Sequence, residues 1–205
     1  MPIIKPKIKK TIPKTLNMML SSDDFTNAKI TSNPSDDIII QDVTFDSCQF
    51  TGVNLSNLKL ENVDLLDCLF EKCDLSNLKF RHLNRVVFKD CRLVGTDFSM
   101  SYFHNIQLVG CNAKYLNLAM SDIKDVKIEQ SDLTESSFIE TKIKNLTLDN
   151  VNLSNSEIIN TSFNNLDLST CNINNIKTDL SSLRGTKVSV DQALSIVTML
   201  DITIK

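Results

Sequence analysis

The chain has 205 residues, 41% of them hydrophobic, with 22 basic and 25 acidic side chains and a formal net charge of −3. That length suits one domain; with no apolar run as long as a membrane span and no charged-then-apolar leader, a soluble cytoplasmic protein without membrane contact is expected. Two histidines and four glycines offer little for nucleophile pairs or phosphate-binding turns, so neither an enzyme nor a cofactor nor a metal site is expected.

Residues 1–14 hold Lys5, Lys7, Lys9, Lys10 and Lys14 and no acid, which leaves 17 basic against 25 acidic side chains in the remainder, a net of −8. With Pro2, Pro6 and Pro13 among them, they read as a flexible basic arm or a loosely packed strap. The lysines have no interleaved aromatics, so direct nucleic-acid binding is not expected. Residues 15–40 read as an N-terminal cap or an irregular first coil. Leu16, Met18, Met19 and Leu20 suit a cover over the first coil, and Phe25, Ile30 and Ile40 stand in phase with the apolar series that starts at Phe45.

Over 41–188 a large apolar residue recurs at every fifth position: Phe45, Phe50, Leu55, Leu60, Leu65, Phe70, Leu75 and Phe80, then in a new phase from Phe88 to Val188. Of the 21 positions in that second phase only Ala113 and Thr178 are not large and apolar. Helices need apolar steps of three and four and half-buried strands need steps of two, so a period of five excludes both as long elements and marks a repeat. Two places before each central residue stands an uncharged, mostly small one, such as Cys48, Cys68, Val86, Thr96, Ser136 or Ser181, so each unit points two side chains inward and three outward. Bulky aliphatics return at this place every 20 residues, at Val86, Ile106, Val126, Leu146 and Leu166, so four units make one coil and about seven coils stack. Asn145, Asn150, Asn155, Asn160, Asn165 and Asn175 share the place two after the centre, where asparagine tolerates left-handed backbone and suits a corner. All six cysteines, Cys48, Cys68, Cys73, Cys91, Cys111 and Cys171, take the small inward place and read as buried thiols.

The step from Phe80 to Phe88 is eight, so a register break is expected at 81–87, a bulge or a short cut. Arg81, His82 and Arg85 there are candidate recognition residues. Residues 189–205 read as a capping helix plus a short strand: Ser189 and Gln192 form a capping box, and Val190, Ala193, Leu194, Ile196, Val197 and Leu200, with Ile202 and Ile204 beyond, are candidates for covering the last coil or joining a second chain as a homodimer.

Units such as Ser131-Asp132-Leu133-Thr134-Glu135, Cys73-Asp74-Leu75-Ser76-Asn77 and Thr96-Asp97-Phe98-Ser99-Met100 resemble those of the pentapeptide-repeat family. The resemblance implies an all-β fold, a right-handed quadrilateral β-helix solenoid with a short C-terminal capping α-helix. The run from Leu183 to Ala193, with the apolar residues after it, is similar to the C-terminal cap of the Qnr quinolone-resistance group, Gram-positive type. This implies dimerisation through the cap and binding to DNA gyrase and topoisomerase IV as an acidic mimic of DNA, protecting both from quinolones. The candidate carboxylates are Asp64, Asp67, Glu71, Asp74, Asp90, Asp97, Asp122, Asp125, Glu129, Asp132, Glu135 and Glu140. Lysines such as Lys124, Lys127, Lys142 and Lys144 interleave with them, and the long excursions of Gram-negative members are absent. The alternative is a structural or adaptor solenoid for another protein. One continuous negative strip would favour mimicry, and patchwork charge the adaptor.

Overall fold

Four five-residue units bring the chain back above its own start, so each strand pairs in parallel with the strand one turn away. The computed structural model describes residues 3–8, 10–16, 24–35 and 39–198. The strands are β1 (Ile12–Pro13), β2 (Asp24–Thr26), β3 (Ala28–Ile30), β4 (Ile39–Gln41), β5 (Thr44–Asp46), β6 (Gln49–Thr51), β7 (Lys59–Glu61), β8 (Asp64–Glu71), β9 (His82–Lys89), β10 (Tyr102–Val109), β11 (Asp122–Glu129), β12 (Lys142–Asp149), β13 (Glu157–Ile158) and β14 (Lys177–Thr178). Helices α1 (Leu180–Leu183) and α2 (Val190–Thr198) are the last described elements. The main ladder runs β6-β8-β9-β10-β11-β12, and the fold is a right-handed quadrilateral β-helix of about eight turns. At ~4.8 Å per turn the rod is roughly 38 Å long.

The extra turn lies at the N-terminal end. β2 pairs with β5, β3 with β6, and Phe25 stacks on Phe45 at 4.9 Å, so residues 24–30 already form part of a coil in register with the rod, the first coil that 15–40 was expected to hold as one of two readings. Tyr102 sits over His82 and under Asp122, a spacing of 20, whereas Asp64 pairs with His82, a spacing of 18. The break is therefore two residues cut from the corner between Phe80 and Leu83. No loop forms at 81–87: that stretch is mostly β9, and Leu83, overlooked by counting from Phe88, is a buried central residue of the new phase.

Among the described residues twenty-three non-glycine ones have left-handed φ of 48 to 65°, and in the coils they fall at corners, the six asparagines included. Inside, ten phenylalanines are buried, many in columns: Phe50 stacks on Phe70 at 4.5 Å and Phe70 on Phe88 at 5.2 Å. Inward Ser and Thr bond into the coil below, as Thr96 Oγ1 does to Leu75 O (2.9 Å) and Ser156 Oγ to Leu133 O (3.0 Å), so small polar residues enter the core mostly with partners, Ser101 Oγ being an exception. All six cysteines are buried and unpaired by disulfides. At the last coil α1 shifts the register by one: Ser182 is buried and Ser181 exposed, the reverse of the expected inward place.

Candidate interaction surfaces

The registers assign each outward residue to one of four faces. The face centred on Leu65, Leu83, Phe103 and Ile123, with its corner, carries Asp64, Asp67, Asp122 and Asp125; the next, on Phe70, Phe88, Leu108 and Ile128, carries Glu71, Asp90 and Glu129. Asp74, Asp132 and Glu135 lie on the third, and Asp97 and Glu140 on the fourth. The twelve carboxylates thus spread over all four faces and form no single strip.

Most of them are also engaged. Ion pairs join Lys89 to Glu71 (2.9 Å), Lys79 to Asp97 (3.0 Å), Arg92 to Asp74 (3.5 Å), Lys114 to Asp132 (3.4 Å) and Lys127 to Glu129 (2.7 Å). His82 Nδ1 stands 2.9 Å from Asp64, and His104 Nε2 3.2 Å from Asp122. Many join neighbouring coils, because residues 18 or 20 apart stack; exposed pairs of this kind contribute ~0–1 kcal/mol each. Asp74, Asp97 and Asp132 also accept the backbone N–H two residues on, from Ser76, Ser99 and Thr134, so the repeat's acidic place serves its own turn. Burial pushes the Asp97 and Asp132 carboxyls up, yet these hydrogen bonds and the nearby lysines hold both below the usual range. Among the described residues Asp90, Asp125, Glu135 and Glu140 carry no ion pair.

The three residues singled out at the break all bind the coil beneath. Arg81 Nη1 donates to Asn62 Oδ1 (2.7 Å), His82 meets Asp64, and Arg85 donates to both oxygens of Asp67 at 2.6 and 2.7 Å. A histidine–tyrosine row lies on the same face: His82 stacks on Tyr102 at 5.3 Å, and Tyr102 meets His104 edge-on at 5.9 Å. Beside it at the corner Met100 and Met120 are exposed, an apolar patch that no charge pattern marks in the sequence.

At the C-terminus the capping box forms. Ser189 N donates to Gln192 Oε1 (2.8 Å) and Gln192 N to Ser189 Oγ (3.2 Å), while Gln192 Nε2 also donates to Leu168 O and Cys171 O (2.8 and 2.7 Å). One glutamine thus starts α2 and binds it to the last coil. Ile196 packs against the core; Ala193 and Val197 are half-buried, and Val190 and Leu194 are exposed. Leu200, Ile202 and Ile204 lie outside the described residues.

The arm is seated on the rod as a strap. Ile4 N donates to Asn105 Oδ1 (3.4 Å), Lys7 N to Asp67 Oδ1 (2.8 Å) and Ile12 N to Asn27 O (2.8 Å), and β1 pairs with β3. Its lysines dominate the sequence pattern, but its backbone does the bonding. Near its path Leu66, Leu69 and Val87 stand half-buried at outward places, where the repeat elsewhere is mostly polar.

The family description Pentapeptide repeat region matches residues 63–138 and 81–158. No curated protein matches the sequence. Among solved structures, trypsin-treated QnrB1, a plasmid-mediated fluoroquinolone resistance protein, is 22% identical over 89% of this chain and 97% of its own, with a TM-score of 0.42. HetL, a pentapeptide repeat protein involved in heterocyst differentiation regulation from the cyanobacterium Nostoc sp. strain PCC 7120, is 10% identical over 80% of this chain and 86% of its own, with a TM-score of 0.41. Residues 63–158 thus form a pentapeptide repeat region, and the same five-residue coils continue on either side of it.

Proposed function

We propose that this protein is a non-enzymatic, cytoplasmic binding rod that engages DNA gyrase and topoisomerase IV, as a homodimer joined through its C-terminal segment, and protects them from quinolones. The observation that carries this reading is the C-terminal cap. Its sequence is similar to the Qnr cap, its helix is bound to the last coil by Gln192, and Val190 and Leu194 remain exposed for a second chain. With the basic arm seated on the rod the formal net charge is −3, so long-range attraction to a basic DNA-binding saddle is weak and adds little.

The charge pattern changes how such a rod would bind. With carboxylates on four faces and eight of the twelve paired, attraction is diffuse, and shape and local contacts must supply the specificity. That patchwork favours a second reading, an adaptor solenoid for another protein.

The deciding experiment titrates purified protein into gyrase supercoiling and cleavage reactions containing a quinolone. Recovery of supercoiling with loss of drug-stabilised cleavage at near-equal stoichiometry is expected. No effect, or inhibition only at large excess, leaves the adaptor reading.

A further inference from the structure

One column of corners differs from every other. Of the twenty-three non-glycine residues with left-handed φ, all are exposed except Asn27, Ser47, Asp67, Arg85, Asn105 and Asp125. These six succeed one another up a single corner, and four of them, Asn27, Ser47, Asp67 and Asn105, lie along the path of the N-terminal strap. Ser47 and Asp67 are only 4% and 6% exposed although the repeat points them outward. Asp67 is held by two bonds from Arg85, which leaves it aimed at the Lys7 amide. Leu66, Leu69 and Val87 are half-buried at the neighbouring outward places. The strap alternates in the same sense: Pro6 and Ile8 are half-buried while Lys5 and Lys7 face solvent.

We propose that this corner is a peptide-binding groove, occupied in cis by the chain's own arm, and that it takes from a partner protein an extended lysine-rich segment with apolar residues at alternate positions. The partner's chemistry is read from the occupant now seated there. A backbone N–H is received by a fixed carboxylate, half-buried apolar residues alternate with exposed lysines, and the outward places beside the corner are themselves apolar and half-buried. Recognition through the backbone tolerates sequence change, so a segment of similar pattern can replace the arm. The arm competes at the millimolar effective concentration that a short tether gives, which sets a threshold that a partner segment must exceed. The groove stands whether or not the rod engages a topoisomerase.

The test uses a fluorescent synthetic peptide with the sequence of residues 3–14 and the full-length chain. Lys7→Pro removes the amide that Asp67 receives and leaves the rod unchanged. The peptide is expected to bind Lys7→Pro about tenfold more tightly than wild type, as weakening the tethered competitor requires, and adding Asp67→Ala should abolish that binding. Should Asp67→Ala lose the fold, judged by its circular-dichroism melt, Val87→Lys serves in its place, since it alters the groove wall without touching the turn. In the wild-type chain the Lys7 amide should exchange at least about tenfold more slowly than in the free peptide. Equal affinity for wild type and Lys7→Pro, binding indifferent to both groove substitutions, or a Lys7 amide exchanging as in the free peptide would each overturn the proposal.

Discussion

At the scale of the residue, the repeat solves one problem at every fifth position, turning the chain through a corner. Left-handed backbone costs an ordinary L-residue ~1–2 kcal/mol and asparagine less, so Asn155, exposed at φ 59°, is placed for its backbone rather than for a contact. Asn155→Val should therefore destabilise the fold by about 1–2 kcal/mol while Asn155→Gly stays within a few tenths, read from paired thermal melts. A Val variant as stable as wild type would remove the corner explanation. Gly110 is tighter still: at φ 65°, a Cβ there would stand 2.6 Å from Asp90 Oδ1 of the corner below. Central and inward residues were legible at once, because burial imposes a period that nothing on the surface disturbs. The roles of the carboxylates were not. Whether Asp132 faces a partner or serves Thr134 and Lys114 depends on neighbours two residues and a full coil away, which spacing alone does not rank.

At the scale of the element, ends matter more than middles, since each coil contacts only its neighbours and the outermost must be closed. Gln192 performs that closure by receiving the Ser189 N–H and donating to the carbonyls of Leu168 and Cys171. Replacing it with Leu, of similar volume, leaves the Cys171 carbonyl without its donor and Leu168 O with only the Cys171 N–H, and should cost about 1–3 kcal/mol. The loss should be local: amide exchange in 166–188 should accelerate well before that in 83–128, and a uniform rise along the rod would contradict the closure role. The capping box was legible because its spacing of three is local. The strap was not, because a segment bound through its amides carries no side-chain pattern that announces where it binds.

At the scale of the whole molecule, the rod is a one-dimensional stack whose unit is the full turn. Among the described strands of the coils, leaving aside the strap's β1, only the pairing of β8 with β9 departs from 20, and it does so by shortening a corner, which leaves the parallel pairing on both sides intact. Length should therefore be adjustable in whole turns. Duplicating residues 106–125 should give a folded, cooperatively melting protein longer by about 4.8 Å in solution scattering. Inserting only ten residues at the same place should not, because it would set the Phe and Ser columns out of line; equal tolerance of both insertions would argue against column packing as the source of stability. The same separation of inside from outside sorts the chromophores. All ten phenylalanines are buried, Tyr102 and Tyr115 are each 52% exposed, and the chain has no tryptophan to mask either group. The protein thus carries two natural optical probes, the near-ultraviolet dichroism of phenylalanine reporting whether the columns remain stacked and tyrosine emission reporting contacts on the flank, so that partner binding and uncoiling can be told apart in one unlabelled sample.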